Sequence, residues 1–273
     1  MAHTRRSLAA DFAELGLEAG DIVMVHAALR SVGPVVSGAD AVIAAVRDVL
    51  GPEGTLAVYT DWEADLWEDD EGRDLRRLDL RVRPDIRDDV LPYDPAASRA
   101  ARENGALMEL VRTSPGAVRS ANPGACCAAL GARAEWFVAD HPLDYGYGPG
   151  SPFAKLVEAR GKVLMLGATT DHMTLLHHAE SIADLVDKRV VRRETPLSVD
   201  GRTQWRWIEE FNTGVPVVAG LDDDYFARIV DDFLAGGAGR RGRVGDADAV
   251  LVRADAIVPF AVRWLEERFG QRG

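Results

Sequence analysis

A histidine and a glutamate stand three positions apart in Leu176-His177-His178-Ala179-Glu180, after an apolar run and a polar turn from Ala168 to Asp171. On a helix that spacing puts His177 and Glu180 on one face. A carboxylate beside an imidazole makes it a proton acceptor suited to neutral pH. A solvated, ion-paired helix face carries the same pair, so the spacing alone leaves both readings open. His172, His177, His178 and Glu180 lie close in sequence but in no standard zinc spacing, and no metal is expected.

Two other groups can do chemistry. The stretch His26-Ala27-Ala28-Leu29-Arg30-Ser31-Val32-Gly33 follows an apolar run. Its small residues let backbone N–H groups approach a phosphate or carbonyl, and Arg30 can pair with a phosphate. An ordinary loop at a strand end is the plainer alternative. Asp61-Trp62-Glu63 sets an indole between two carboxylates. That suits a polyamine sugar, with the ring against its apolar face and the acids on its ammonium groups. A plain surface loop is the other reading there.

Several chemistries are missing. Gly148-Pro149-Gly150-Ser151-Pro152 does not form the G-x-S-x-G nucleophile elbow, and neither the phosphate loop nor the dinucleotide fingerprint occurs. The only cysteines, Cys126 and Cys127, are adjacent in an apolar stretch and read as packing.

The elements that must position these groups follow from periodicity. Leu8, Phe12 and Leu15 have helical spacing, with Gly16 as the stop. Strands are expected at Asp21 to His26, Thr55 to Thr60, Ala125 to Leu130, Lys162 to Leu166 and Ala249 to Val252. Helices are expected at 40–50 (closed by Gly51), Ala97 to Val111, Thr174 to Leu185, Asp222 to Leu234 and Asp255 to Phe269, and one opening at Ser151-Pro152. Arg189 to Val199 and Thr203 to Phe211 form a hairpin about Asp200-Gly201. Strand, helix and strand with short connections imply an α/β fold with a mostly parallel central sheet and an antiparallel extension. The charged stretch 61–95 reads as a lid within one domain spanning 1–273. His177 then falls near the carboxyl ends of strands, where open sheets gather ligands.

Composition bounds the partners. The 44 acidic and 32 basic residues give a formal net charge of −12. Such a surface repels nucleic acid and draws cationic small molecules. No apolar run reaches the roughly eighteen residues of a membrane span, and the first residues lack a secretory apolar core. A cytoplasmic protein, monomer or homodimer, is expected.

In order, the segments VMVHAALRSVGPV, LGPEGTLAVYTDW, VRTSPGAVRSANPGACCAALG, GSPFAKLVEARGKVLMLGA, TLLHHAESIAD, DKRVVRRETP, GRRGRVGDA and IVPFAVRWLEERFG resemble the aminoglycoside 3-N-acetyltransferase family. The resemblance covers nearly the whole chain. It implies a three-layer α/β/α sandwich distinct from the general N-acetyltransferase fold, and acetyl transfer from acetyl-CoA to the 3-amine of a 2-deoxystreptamine ring. It further implies His177 as base with Glu180 beside it. His26 is a second acid–base candidate, because it too ends a strand facing the expected cleft. CoA contacts are implied at His26 to Gly33 (Ala27, Ala28, Leu29, Arg30, Ser31 and Val32 between them), at Arg119 and Ser120, and at Ser151, Pro152 and Phe153. Antibiotic contacts are implied at Asp61, Trp62, Glu63, Asp171 and Glu210. This chain departs from the family pattern at Ala28, where a serine is common, at Asn122, where histidine is usual, and at His178, where tyrosine is usual. Relatives that acylate other amines, including nucleotide-like ones, leave a second acceptor class open, since Arg81, Arg83 and Arg87 lie in the lid. A non-catalytic drug or CoA binder is the reading from another class.

Overall fold

The computed structural model describes residues 2–62, 87 and 89–270, so Glu63, Arg81 and Arg83 lie outside the described residues. Its strands are β1 (Ile22–Ala27), β2 (Thr55–Tyr59), β3 (Val118–Arg119), β4 (Cys127–Gly131), β5 (Lys162–Leu166), β6 (Val190–Val199), β7 (Arg202–Phe211), β8 (Arg240–Val244) and β9 (Ala247–Arg253). Its α-helices are α1 (Arg5–Leu15), α2 (Gly38–Leu50), α3 (Ala106–Arg112), α4 (Ala134–Val138), α5 (Pro152–Glu158), α6 (Leu175–Ile182), α7 (Tyr225–Ala235) and α8 (Ala254–Phe269).

The main sheet has the order β3-β4-β2-β1-β5-β9-β8. Its centre, β2-β1-β5, is parallel, and β4 and β9 run against their neighbours on either side. All of β1 is buried, as a central strand covered on both faces must be. Its alternation divides the core. Val23, Val25 and Ala27 pack under α1, α2 and α3, while Ile22 and Met24 face the layer that contains α4 to α8. The result is the α/β/α sandwich expected above.

Local signals explain several boundaries. Thr4 caps α1 in a capping box with Ser7, and Gly16 ends it in the left-handed region at φ 111°. β6 and β7 pair as a separate hairpin, with Asp200 and Gly201 both at positive φ in the turn. One helix is shorter than expected: residues 97–105 do not join α3. Ala100 bridges Trp62, and the Ala101 N–H donates to Asp61 O, so this stretch pairs with the chain beyond β2 instead of coiling. Gly105, at φ 90°, then separates it from α3. No helix among the described residues is long and apolar enough to cross a membrane.

Candidate active site

A cleft of about 1100 Å³ opens where β1, β2 and β5 end, between those strand ends and the β6–β7 hairpin. Its floor carries His26, Ala27 and Ala28 from the end of β1, and Gly167 to Thr169 from the end of β5. Glycines bring the backbone close here. A Cβ on Gly167, at φ 63°, would sit 1.7 Å from Ser31 Oγ, and one on Gly105 would approach Ala27 O to 3.1 Å.

His177 reaches the cleft from the first turn of α6. Its Nδ1 is 2.6 Å from Glu180 Oε2, so Nε2 is the nitrogen left to face the cleft. Glu180 is only 3% exposed, and its other oxygen accepts the hydroxyl of Tyr225 from α7. The rings of Tyr147 and Phe226 lie 5.0 and 4.8 Å from the imidazole. A buried carboxylate with both oxygens bonded holds the imidazole in one tautomer and orientation. Tyr147 in turn shares a 2.8 Å hydrogen bond with the Tyr59 hydroxyl on β2.

Glu210, near the end of β7, also lines the cleft. Burial pushes its carboxyl up to about 6, opposed by N–H donors from Phe211, Gly146 and Tyr147 and by the charge of His177. The loop that supplies the Gly146 and Tyr147 donors is tightly held. Asn122 Nδ2 donates to Pro142 O and Leu143 O, His178 Nδ1 to Tyr147 O, and His141 spans from Ser120 Oγ to Gly146 O. Asn122 and His178, two of the departures noted in the sequence, therefore brace the same loop.

The remaining sequence candidates divide in two. Asp61, Trp62 and Asp171 line the cleft. The Asp61 carboxylate accepts Asn104 Nδ2, Trp62 packs on Tyr93 at 5.8 Å, and Asp171 Oδ1 meets His172 Nδ1 at 3.1 Å. Leu29 to Val32 form a short 3₁₀ turn behind the floor; Val32 is core and Arg30 is exposed. Gly33 packs against Asp246. Arg119 pins Thr60 and Ser98 while lying over the Tyr93 ring, and Ser120 is buried against Cys127 N–H and His141. Ser151 caps α5, Pro152 opens it, and Phe153 stacks with Tyr59 and Tyr147. These residues stand among the scaffold and are not part of the cleft lining.

Tyr147, Tyr225 and Phe226 were not singled out from the sequence. Tyr147 lies in a Gly/Pro-rich turn, and Tyr225 and Phe226 lie on the apolar face of an amphipathic helix, where they read as core. Both cysteines are fully buried, and burial pushes their thiols up. Among the described residues no cluster of His, Cys, Asp and Glu is placed to hold a metal ion.

Residues 24–266 match the family model described as aminoglycoside 3-N-acetyltransferase. The chain is 45% identical to the aminoglycoside N(3)-acetyltransferase III of Pseudomonas aeruginosa, over 98% of this chain and 95% of that one. It is 42% identical to the aminoglycoside N(3)-acetyltransferase VII of Streptomyces paromomycinus, over 98% and 93%. Among solved structures, it is similar to AAC-IIIb in its binary form with CoASH at TM-score 0.93 and 58% identity, with all of both chains covered. AAC-VIa bound to sisomicin matches at TM-score 0.89 and 32% identity, over 99% of this chain and 100% of that one.

Proposed function

The chain belongs to the aminoglycoside 3-N-acetyltransferase family, and from that premise we propose how its cleft performs the transfer. The protein is an acyltransferase that moves acetyl from acetyl-CoA to the 3-amino group of an aminoglycoside. The observation that carries the mechanism is the Tyr225–Glu180–His177 chain ending at the cleft.

His177 acts as general base in a ternary complex. Only a neutral amine is a nucleophile, so Nε2 takes the proton that the acceptor nitrogen must lose. The nitrogen lone pair forms the C–N bond, the thioester carbonyl pair moves to oxygen, and collapse breaks C–S with the electrons leaving on the CoA sulfur. The proton stays on Nε2, and the Glu180 carboxylate, bonded to Nδ1–H, stabilises the imidazolium by its charge. The buried thiols of Cys126 and Cys127 support direct transfer without a cysteine acyl intermediate.

The acyl donor's thioester arm lies along the floor at His26 to Ala28. The acceptor lies toward Trp62 and toward Asp61, Asp171 and Glu210, whose carboxylates meet its ammonium groups. Of the three arginines that leave a phosphorylated acceptor open, Arg87 is committed: it forms a two-pronged pair with Glu194 at 2.7 Å and lies over Trp205 at 4.1 Å. The test is thiol release from acetyl-CoA against a panel of aminoglycosides. Rapid release with 3-amino substrates is expected, and no release with any of them overturns this acceptor.

A further inference from the structure

We propose that the His26 imidazole is the oxyanion donor, giving a ring N–H to the carbonyl oxygen of the acetyl thioester and holding the charge that develops there. The proposal rests on the acetyl-transfer reading above.

Three observations carry it. First, of the six histidines, five are tied down by their side chains: His3 to Asp246, His141 to Ser120 and Gly146, His172 to Thr169 and Asp171, His177 to Glu180, and His178 to Tyr147. His26 has no side-chain hydrogen bond among the described residues, although it is 7% exposed and its Nε2 is fully buried. Buried polar atoms without partners are rare in folded proteins and ask for an explanation such as a working role. His26 also lines the cleft.

Second, part of this loop's backbone is already committed. The N–H groups of Ala28, Ser31 and Gly33 donate to Leu166 O, Ala28 O and Arg30 O. Among buried side-chain nitrogens and oxygens of the described residues, His26 Nε2 is the one without a hydrogen-bond partner.

Third, the placement suits the reaction. The β1–β2 register of Met24 with Ala57, carried two residues on, sets His26 beside Tyr59 on the same sheet face. Tyr59 bonds Tyr147, and Tyr147 packs on His177. Base and oxyanion donor thus stand toward opposite ends of one hydrogen-bonded tyrosine pair. Burial, with His172 nearby, pushes His26 down to about 4, so the ring is uncharged at neutral pH. An uncharged donor in a water-poor site stabilises a developing oxyanion without having to lose a proton. The step balances. The carbonyl pair rests on oxygen against the His26 N–H, then re-forms C=O as C–S breaks and thiolate leaves. His26 neither gains nor loses a proton overall.

The test compares His26→Leu with His26→Gln. In His26→Leu, kcat falls about a hundredfold while KM for both substrates stays within about threefold. Calorimetric binding of CoA, which lacks the acetyl carbonyl, is unchanged. His26→Gln keeps an N–H and recovers about tenfold of the loss. The acid limb of the kcat profile survives in both. The stretching frequency of a ¹³C-labelled acetyl carbonyl, read on bound acetyl-CoA without acceptor, is lower in the parent than in His26→Leu. Parent-like turnover in His26→Leu, a vanished acid limb, lost CoA binding or an unmoved carbonyl frequency would each overturn the proposal. The carbonyl reading needs no acceptor, so it judges His26 even where no aminoglycoside is turned over.

Discussion

Two histidines face one cleft and are treated in opposite ways. His177 is held by a buried carboxylate that is itself held by Tyr225, whereas the His26 ring has no hydrogen-bond partner among the described residues. Burial opposes a proton on His26, while the Glu180 carboxylate holds His177 in one orientation. Partners, more than residue type, assign the task.

The sharpest way to break that contrast is to remove the bonded member. His177→Ala should lower kcat about a thousandfold with acetyl-CoA binding retained, as read by steady-state thiol release and calorimetry. Glu180→Gln keeps the shape but removes the charge. Turnover should fall about a hundredfold with little change in either KM.

His141 separates burial from bonding, because it is buried like His26 yet bonded at both nitrogens. Burial pushes it to about 4, opposed by its bond to Gly146 O. The unfolded chain therefore takes up this proton first. Its contribution is fully present above pH ~6.5 and is lost as pH falls toward 4, costing about 2 kcal/mol by pH 5. Urea unfolding at pH 7 and pH 5 measures the loss, and His141→Gln should shrink the difference.

The smallest effect concerns the acceptor wall. Glu210→Gln should raise acceptor KM about tenfold and leave kcat nearly unchanged. Because the Glu210 carboxyl is raised to about 6, acceptor KM in the parent should climb as pH falls through that value. The variant should lose this dependence.

Much of this arrangement was legible in the residues. The parallel centre of the sheet followed from apolar runs alternating with helical patterns, and the hairpin from Asp200-Gly201. The pairing of His177 with Glu180 followed from a three-residue spacing. What escaped the sequence depended on contacts between distant segments. β8 is exposed along most of its length and reads RRGRV, so it carries no apolar signature; pairing with β9 alone makes it a strand. Residues 97–101 have helical composition, yet a bridge to Trp62 outweighs that propensity. Tyr225 occupies an ordinary core position of α7, and only folding shows its hydroxyl reaching Glu180. Arg119, Ser120 and Ser151 look equally polar in sequence, but their partners turn them inward as pins and caps.

The central strand also sets the order in which such a molecule can be built. Val23 must find Lys162, and Leu164 must then find Leu251. Closing loops of that length costs entropy before any contact repays it, so the sheet forms late and folding is slow. A nascent chain that stops short of Ala247 leaves β5 as an open edge, ready to pair with another chain. Everything through β9 must therefore leave the ribosome before that edge is covered, and loss of β9 exposes a surface prone to aggregate.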